Sequence, residues 1–561
     1  MDGFSILIGG KAGFGIDKSG AVIGRLLNKL GFRIFIYRDY PSVIRGGHTF
    51  SIIRAANNRI AAHRDKVDLV LALNQETLQL HKNRLRKGCF LIFDSEQVKT
   101  TMDPGCGLGL PLGKILKEEN APEIMRNTCI IGAMAKAVGV SFDYLAEDLK
   151  KEFTRETDLN LKVAQRGFNE AKEWIKIGPP EQVALPLLTG NQAMALGLIK
   201  GGLDTYIAYP MTPSSPILHY LAEIADDFAL NVIHPESEIG VILMALGFSY
   251  MGKKTAVGTS GGGFCLMTEG LSLSGMSELP IVIVLGQRPG PSTGLPTYSS
   301  QTDLHFALHA GQGEFTRFIV APGDAEEAYG WSAVSLNLSW KYQIPSIILS
   351  DKNLGEGVFN FDIDATQGVK AEVLPLWDRK LPYKRYLLTG NGVSPLAFAP
   401  SHDAVIKVNS YEHDELGFTT EDPKLTTLMQ EKRLRKEKFL AKDLESMKTV
   451  NVYEGKKTET ALLCWGSTKG VCVEVAQELG CKVIQPIVLN PFPVRQFQEA
   501  LKGVKRIICV ENNATGQLLR LIKGHGFNVN ATIFKYDGRP FSIDELKEKI
   551  KANLGRKEGA I

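Results

Sequence analysis

A chain of 561 residues with 44% hydrophobic and 22% charged residues has the make-up of a soluble globular protein with three or four domains, each able to bury its own core. Its formal net charge of +4 is small for that length, which removes the electrostatic case for nucleic acid as a partner. No uninterrupted apolar stretch reaches membrane-spanning length, and the start Met1-Asp-Gly-Phe-Ser lacks the basic region and apolar run of a signal peptide, so a cytoplasmic address and no membrane partner are expected.

From the N-terminus, Phe4–Ile8 is a short apolar run followed by Gly9-Gly-Lys-Ala-Gly-Phe-Gly15 and a helical pattern over Ile16–Leu30. A strand, a glycine turn and a helix can set backbone N–H groups against a phosphate. The glycine order is not the dinucleotide fingerprint, and no Lys-Ser/Thr follows the last glycine, so a tight turn with close helix packing explains it as well. Strands are also predicted at Arg33–Tyr37, Leu69–Leu73 and Cys89–Phe93, giving an α/β domain over residues 1–177. Within it, Asp39-Tyr-Pro-Ser-Val-Ile-Arg-Gly-Gly-His48 pairs an arginine with two glycines in a loop that could close on an anion. Packing is the better reading of that loop, and His48 reads as structural.

Gly178-Pro-Pro180 marks a stiff linker. A second domain is expected over residues 185–363. Its strands, predicted at Thr205–Tyr209, Thr255–Gly258, Ile281–Leu285 and Ile347–Ser350, are spaced by helical patterns, as a parallel sheet flanked by helices requires. The stretch Tyr206-Ile-Ala-Tyr-Pro-Met-Thr-Pro-Ser-Ser-Pro216 must leave its strand by Pro210, because proline cannot continue a central ladder. Thr212, Ser214 and Ser215 therefore fall past the strand's carboxyl end, where parallel α/β sheets bind ligands. Thr212 is the first candidate substrate contact. Glu238, in His234-Pro-Glu-Ser-Glu-Ile-Gly240, opens an apolar helix over Ile239–Tyr250 and would face a buried site from the favourable end of the helix dipole. Taken singly, Thr212 fits a helix cap and Glu238 a helix-start charge. Their succession with a third segment, Gly258-Thr-Ser-Gly-Gly-Gly263, favours a site. There Gly261, Gly262 and Gly263 precede a helical pattern at Leu266–Ser274, so a planar ring could approach the bare backbone. Glu269, farther on, is expected to be exposed. The run Gly286 to Leu304 reads as a rigid strand-end loop able to wall a pocket, and its Arg288 is the natural partner of a carboxylate.

Residues 364–455 form a connecting region. His413 lies there among acids with no second histidine nearby, and Gln430–Lys438 carries both signs at helical spacing, as a solvated helix face would. Residues 456–555 read as a last α/β unit with strands at Ala461–Trp465, Val483–Val488, Arg506–Val510 and Thr532–Tyr536. Glu511-Asn-Asn513 and Gly516-Gln517 fall at one of its strand ends, where a subunit contact is expected ahead of ligand binding. Among Cys89, Cys106, Cys129, Cys265, Cys464, Cys472, Cys481 and Cys509 no pair has the two-residue spacing of clusters or zinc sites, so this chain is expected to hold neither. Cys464 and Cys509 read as small core residues.

The order Tyr209-Pro-Met-Thr-Pro-Ser-Ser215, Glu236-Ser-Glu-Ile-Gly240, Thr259-Ser-Gly-Gly-Gly-Phe-Cys-Leu-Met-Thr-Glu269 and Gly290-Pro-Ser-Thr-Gly-Leu-Pro-Thr297 resembles the α subunit of 2-oxoacid:ferredoxin oxidoreductases. The likeness covers nearly the whole chain, whose N-terminal domain is similar to that family's γ subunit. A fused γ–α form is implied, with a γ-type α/β domain, a thiamine-pyrimidine-binding domain and a domain like the C-terminal one of transketolase, all parallel sheets flanked by helices. The resemblance implies oxidative decarboxylation of a 2-oxoacid with coenzyme A, giving acyl-CoA, carbon dioxide and reduced ferredoxin. By it, Thr212 touches the 2-oxoacid and Glu238 bonds the aminopyrimidine of thiamine diphosphate, driving formation of the reactive tautomer. Tyr209, Pro210 and Gly261 to Gly263 would line the cofactor; Arg288, Thr297 and Tyr298 would meet the substrate. The Gly-Asp-Gly segment with paired asparagines that grips the diphosphate and its metal in thiamine enzymes is missing from the sequence. A β subunit is therefore expected to supply that half, Mg2+ and a [4Fe–4S] cluster, in a dimer of αβ heterodimers. The loop ending at His48 is left a role in coenzyme A binding or subunit packing. Many α subunits of the 2-oxoglutarate type carry arginine directly after Gly-Leu-Pro-Thr, where this chain has Tyr298. That departure leaves 2-oxoglutarate or broad specificity beside an indolepyruvate or branched-chain substrate. A non-catalytic nucleotide-binding scaffold, suggested by the glycine turn, is the alternative outside the family.

Overall fold

A computed structural model describes residues 3–42, 46–101, 104–178, 180–366, 368–369, 372–455 and 457–555. Two compact units emerge, one made of Met1–Leu188, Glu356–Asp362 and Phe541–Ile561, the other of Thr189–Gly355 and Ile363–Pro540. The C-terminal helix Ile543–Leu554 thus belongs to the first unit although it follows the last strand of the second.

The first unit holds an eight-stranded sheet in the order Gly107–Leu110, Leu85–Asp94, Val67–Ala72, Phe4–Lys11, His48–Ala56, Arg33–Asp39, Val358–Asn360, Leu187–Thr189. It is parallel on one side of Phe4–Lys11 and antiparallel from His48–Ala56 through Val358–Asn360, so it is mixed and not wholly parallel. Short connections turn the chain straight back between Arg33–Asp39 and His48–Ala56, which is possible only for antiparallel neighbours. The helix Ile16–Lys29 covers one face with Ile23, Leu26 and Leu27, all fully buried. In the loop that ends at His48, Val43, Ile44 and Arg45 lie outside the described residues, as Pro179 of the linker does. His48 itself is a packing residue: its Nε2 is 2.9 Å from His81 Nε2, and its ring stacks on Phe50. Burial lowers the pKa of both imidazoles, that of His81 to about 3, so the pair is neutral near pH 7. The glycine turn lines a cleft of about 880 Å³, in whose wall Asn127 donates to Ser19 and Thr128 to Asn160.

The second unit contains two sheets. The larger runs Val488–Asn490, Phe318–Val320, Pro345–Asp351, Ile281–Gln287, Thr255–Ser260, Thr205–Ile207, Asn231–Ile233, all parallel except the first strand. Its central strand Ile-Val-Ile-Val-Leu-Gly-Gln is buried at every position, the unbroken apolar run expected when helices cover both faces. The smaller sheet, Val450–Tyr453, Cys481–Pro486, Lys457–Leu463, Arg506–Glu511, Ala531–Phe534, is parallel apart from its first strand. One core joins them, with Ile283 and Phe264 in the same apolar cluster as Trp465, Ile484 and Cys509.

The helix Pro423–Leu444, started by the Asp422 side chain on Leu425 N–H, contradicts the expected solvated face. Lys432 and Lys436 are enclosed, and both reach the buried carboxylate of Glu278, with Lys432 Nζ at 2.6 and 2.8 Å and Lys436 Nζ at 2.5 Å. Burial alone would raise the Glu278 pKa, but the Lys432, Lys436 and Arg385 charges hold it well below the usual carboxylate range. Arg433 is buried too, paired with Glu412. His413 packs at a tilt against Tyr386 with ring centroids 3.7 Å apart and donates through Nδ1 to the Tyr411 carbonyl, which makes it a core residue. Glu511 is likewise internal, and not the subunit contact expected. Its carboxylate accepts from Trp465 Nε1 and from the N–H groups of Leu518 and Leu519, which satisfies the first turn of the helix Gln517–Gly524.

Candidate active site

The strand Thr205–Ile207 ends two residues earlier than predicted, and the chain past it closes a turn in which the Ser214 and Ser215 N–H groups both donate to the Met211 carbonyl. Asn191 Nδ2 donates to the Pro213 carbonyl at 2.9 Å and fixes the turn from below. The Thr212 hydroxyl caps nothing: the helix Ser215–Glu223 has no side-chain cap, and no hydrogen bond to that hydroxyl exists among the described residues. Thr212 is half-buried, with its carbonyl accepting from Arg288 Nη1 at 3.0 Å.

Gly261, Gly262 and Gly263 are not a loop. They form the first turn of the helix Gly261–Ser277, directly past the strand Thr255–Ser260. Residues from four segments pack on that bare turn. A methyl at Gly263 would lie 2.2 Å from Thr259 Oγ1 and 2.4 Å from Glu238 Oε1; one at Gly262 would meet Ser292 Oγ at 3.3 Å and Met211 Cε at 3.8 Å; one at Gly261 would meet both oxygens of Asp303 at 3.0 and 3.1 Å. Real Cβ atoms do not come so close as at Gly263, so only glycine lets Glu238 reach its place. Glu238 is the first residue of the helix Glu238–Tyr250, whose N-cap Ser237 accepts from Gly240 N–H. The side chain is buried at 4% exposure, and its Oε1 is enclosed with no hydrogen-bond partner among the described residues. A carboxyl oxygen left so costs about 1–3 kcal/mol, which a ligand donor would recover. Glu236 and Glu269, by contrast, are exposed.

Arg288 is held by neutral acceptors, the Thr212 carbonyl and, at 3.6 Å, Met211 Sδ. No carboxylate lies within ion-pair distance of it among the described residues, and burial lowers its pKa against the opposing pull of Asp303 and Glu238. Its charge thus stays available beside the Thr212 hydroxyl. Thr297 is buried with its Oγ1 unpartnered. Tyr298 is half-buried beneath the Arg539 guanidinium, 4.1 Å from the ring centroid, with Lys352 Nζ at 5.7 Å. Tyr209 packs on the apolar cluster near His234, and Pro210 is half-buried beside it. Asp303 escaped the sequence reading. Its only signal there was its place at the end of the glycine- and proline-rich loop, whereas its contact with Gly261 arises from the fold.

The assembled geometry is matched by comparisons with known proteins. Residues 196–432 fit the family described as pyruvate flavodoxin/ferredoxin oxidoreductase, thiamine diphosphate-binding, and residues 5–170 fit the pyruvate ferredoxin/flavodoxin oxidoreductase family. The 2-oxoacid:ferredoxin oxidoreductase α subunit of Saccharolobus solfataricus is 31% identical over 99% of this chain and 98% of its own. The 2-oxoglutarate oxidoreductase subunit KorA of Mycobacterium tuberculosis is 25% identical over 99% of this chain and 92% of its own. The solved structure of 2-oxoglutarate:ferredoxin oxidoreductase from Magnetococcus marinus, with 2-oxoglutarate, coenzyme A and succinyl-CoA bound, is similar at a TM-score of 0.89 and 29% identity, covering 99% of this chain and all of that one. Whole-length likeness and a glycine turn that seats a buried, unpartnered glutamate agree with each other, and the chain belongs to the 2-oxoacid:ferredoxin oxidoreductase α-subunit family, oxidoreductases that use thiamine diphosphate.

Proposed function

We propose that this chain is the γ–α fused subunit of an enzyme that oxidises 2-oxoglutarate, or 2-oxoacids broadly, with coenzyme A, and that it works only with a β subunit. The carrying observation is Glu238: a buried carboxyl oxygen without a protein donor, set against a helix turn stripped of side chains. That is a fit for an aminopyrimidine, which needs a carboxyl partner on one edge and a flat approach to its face. When bound, thiamine diphosphate supplies the electron sink that accepts the pair left by departing carbon dioxide. Glu238 holds a proton on the pyrimidine edge, Thr212 offers its free hydroxyl to the oxoacid, and Arg288, which makes no ion pair among the described residues, draws the oxoacid carboxylate to that hydroxyl. Thr297 and Tyr298 bound the substrate's far end. Tyr209 and Pro210 shape the strand-end turn, and Gly261 to Gly263 give the ring room.

The β subunit would contribute the diphosphate grip, Mg2+ and a [4Fe–4S] cluster, with ferredoxin as acceptor, in a cytoplasmic dimer of αβ heterodimers. An apolar surface beside Glu238 supports a second polypeptide there. Ile239, Leu243 and Met244 of one helix and Leu266 of the next are 47–50% exposed, and all but Met244 line a cleft of about 580 Å³. We also assign the four regions 1–177, 185–363, 364–455 and 456–555 the roles of γ-type domain, pyrimidine-binding domain, connector and transketolase-like C-terminal domain. Tyr298 favours a second substrate reading, an indolepyruvate or branched-chain oxoacid, because a phenol gives one hydrogen bond where a guanidinium gives two. Coexpression with the β subunit and a viologen-reduction assay across 2-oxoacids decides: reduction with 2-oxoglutarate and coenzyme A is expected, reduction with indolepyruvate alone selects the second reading, and none with any oxoacid rejects both.

A further inference from the structure

Asp303 is an ionisable group of this site that the assigned chemistry leaves without a task. Its N–H donates to the Gln287 side chain, and its carbonyl accepts from Ala307 N–H, so backbone bonds fix it at the start of the helix Leu304–His309. The carboxyl group points at the glycine turn, both oxygens within 3.1 Å of where a Gly261 methyl would stand, and Oδ2 is enclosed with no partner among the described residues. Two carboxyl groups, Glu238 and Asp303, thus flank one three-residue turn, each with an enclosed oxygen that nothing among the described residues satisfies.

The charges bearing on this region are few. Arg288, at the end of the neighbouring strand, acts on Asp303 but is not within ion-pair distance of it, and Glu238, from the helix across the turn, also acts on Arg288. The glycine turn carries no charge, and His305 on Asp303's own helix is bonded to the Gln517 carbonyl. One guanidinium therefore serves two carboxyl groups before any substrate arrives.

A 2-oxoacid adds a third negative group and occupies the guanidinium. Resting on the reading of Arg288 above, we propose that Asp303 is a positioning residue of the oxoacid site: it takes one proton from solvent as the oxoacid carboxylate docks on Arg288 and returns it when the site empties. A carboxylate with one enclosed oxygen, whose one counter-charge among the described residues has been engaged by another anion, has no cheaper relief than protonation. In the free protein burial already pushes the Asp303 pKa up to about 6, partly offset by Arg288, and a docked anion cancels that offset. Proton uptake and anion binding then favour each other by the same factor, as linkage requires.

The test uses the enzyme assembled with its β subunit. Between pH 6 and 8 the KM for 2-oxoglutarate is expected to climb, by at most about tenfold per pH unit, with kcat changing less. Binding of N-oxalylglycine, an amide isostere of 2-oxoglutarate that stays fully ionised across this range, is expected to take up close to one proton at pH 7.5, measured by calorimetry in two buffers of different ionisation enthalpy. Asp303→Asn should flatten the KM profile and abolish the uptake; Asp303→Glu should restore both in part. An Arg288→Gln enzyme with unaltered KM overturns the underlying reading of Arg288. With that reading intact, a flat wild-type KM profile, no proton uptake by wild type, or an unchanged slope in Asp303→Asn overturns the proposal. The two wild-type measurements stand even if the asparagine variant does not fold.

Discussion

Arg288 keeps its charge beside the free hydroxyl of Thr212 because its hydrogen bonds go to a carbonyl and a thioether and not to a carboxylate. Replacing it with glutamine keeps the donor to the Thr212 carbonyl but removes the cation, and charged hydrogen bonds of this kind contribute about 1.5–3 kcal/mol. The KM of Arg288→Gln for any 2-oxoacid is therefore expected to rise roughly 10- to 100-fold in steady-state assays, with a smaller change in kcat. Gly263 is equally specific. Alanine there would overlap Glu238 and Thr259, so Gly263→Ala should abolish turnover while leaving the circular dichroism of the chain unchanged. At this scale the sequence was informative where function imposes odd local chemistry. Pro210 keeps the strand from continuing into the turn that carries Thr212, and an acid opens an otherwise apolar helix. Asp303 was illegible because its environment is made by a helix start that no local pattern ties to it.

Elements were legible where side-chain period matches burial. The run Ile281–Gln287 reads as a buried strand and is one. Two misreadings have physical causes. Gly261, Gly262 and Gly263 looked like a loop because glycine disfavours helix, yet Ser260 leads straight into a 17-residue helix whose later turns carry the cost. The helix Pro423–Leu444 looked solvated because its lysines and arginines are charged, and nothing local reveals that Glu278, on a distant segment, takes two of them into the core. Removing that acid alone would strand two buried cations. Glu278→Gln is predicted to lower the unfolding free energy by about 3–5 kcal/mol in denaturant titration at pH 7. Because the folded Glu278 pKa is depressed, the carboxylate's own contribution is complete above the unfolded value of about 4.3 and fades only as pH falls towards the folded one. Burial lowers the pKa of Lys432 and takes that of Lys436 to about 7, and without the acid both ammonium groups give up protons more readily, so the loss in the variant should be smaller at pH 8 than at pH 6.

For the whole molecule, the first sheet shows how far chain order alone can be trusted. Alternating strands and helices predicted parallel sheets, and half of that sheet is antiparallel because the chain turns straight back from Arg33–Asp39 into His48–Ala56, which pairs with Phe4–Lys11, while Val358–Asn360 comes in from far along the chain. The second unit draws its larger sheet's edge strand Val488–Asn490 from a segment far along the chain, a pairing no local signal announces. The exposed apolar residues beside Glu238 make a prediction about assembly. Leu243, 48% exposed, can become aspartate at little cost to the isolated chain, within about 0.5 kcal/mol, because the site is already wet. On coexpression, Leu243→Asp should keep its melting temperature yet fail to copurify with the β subunit on a size-exclusion column. Copurification at wild-type yield would place the partner elsewhere.

Glu238→Gln in the assembled enzyme tests the central claim most directly, because glutamine keeps the shape and removes the proton-holding group. Thiamine and iron contents should match wild type, while oxoacid-dependent viologen reduction should fall by about 10²–10⁴-fold, the usual contribution of a positioned acid–base group. Reduction at the wild-type rate by an enzyme fully loaded with thiamine would show that the carboxyl group at this helix start does not act on the cofactor.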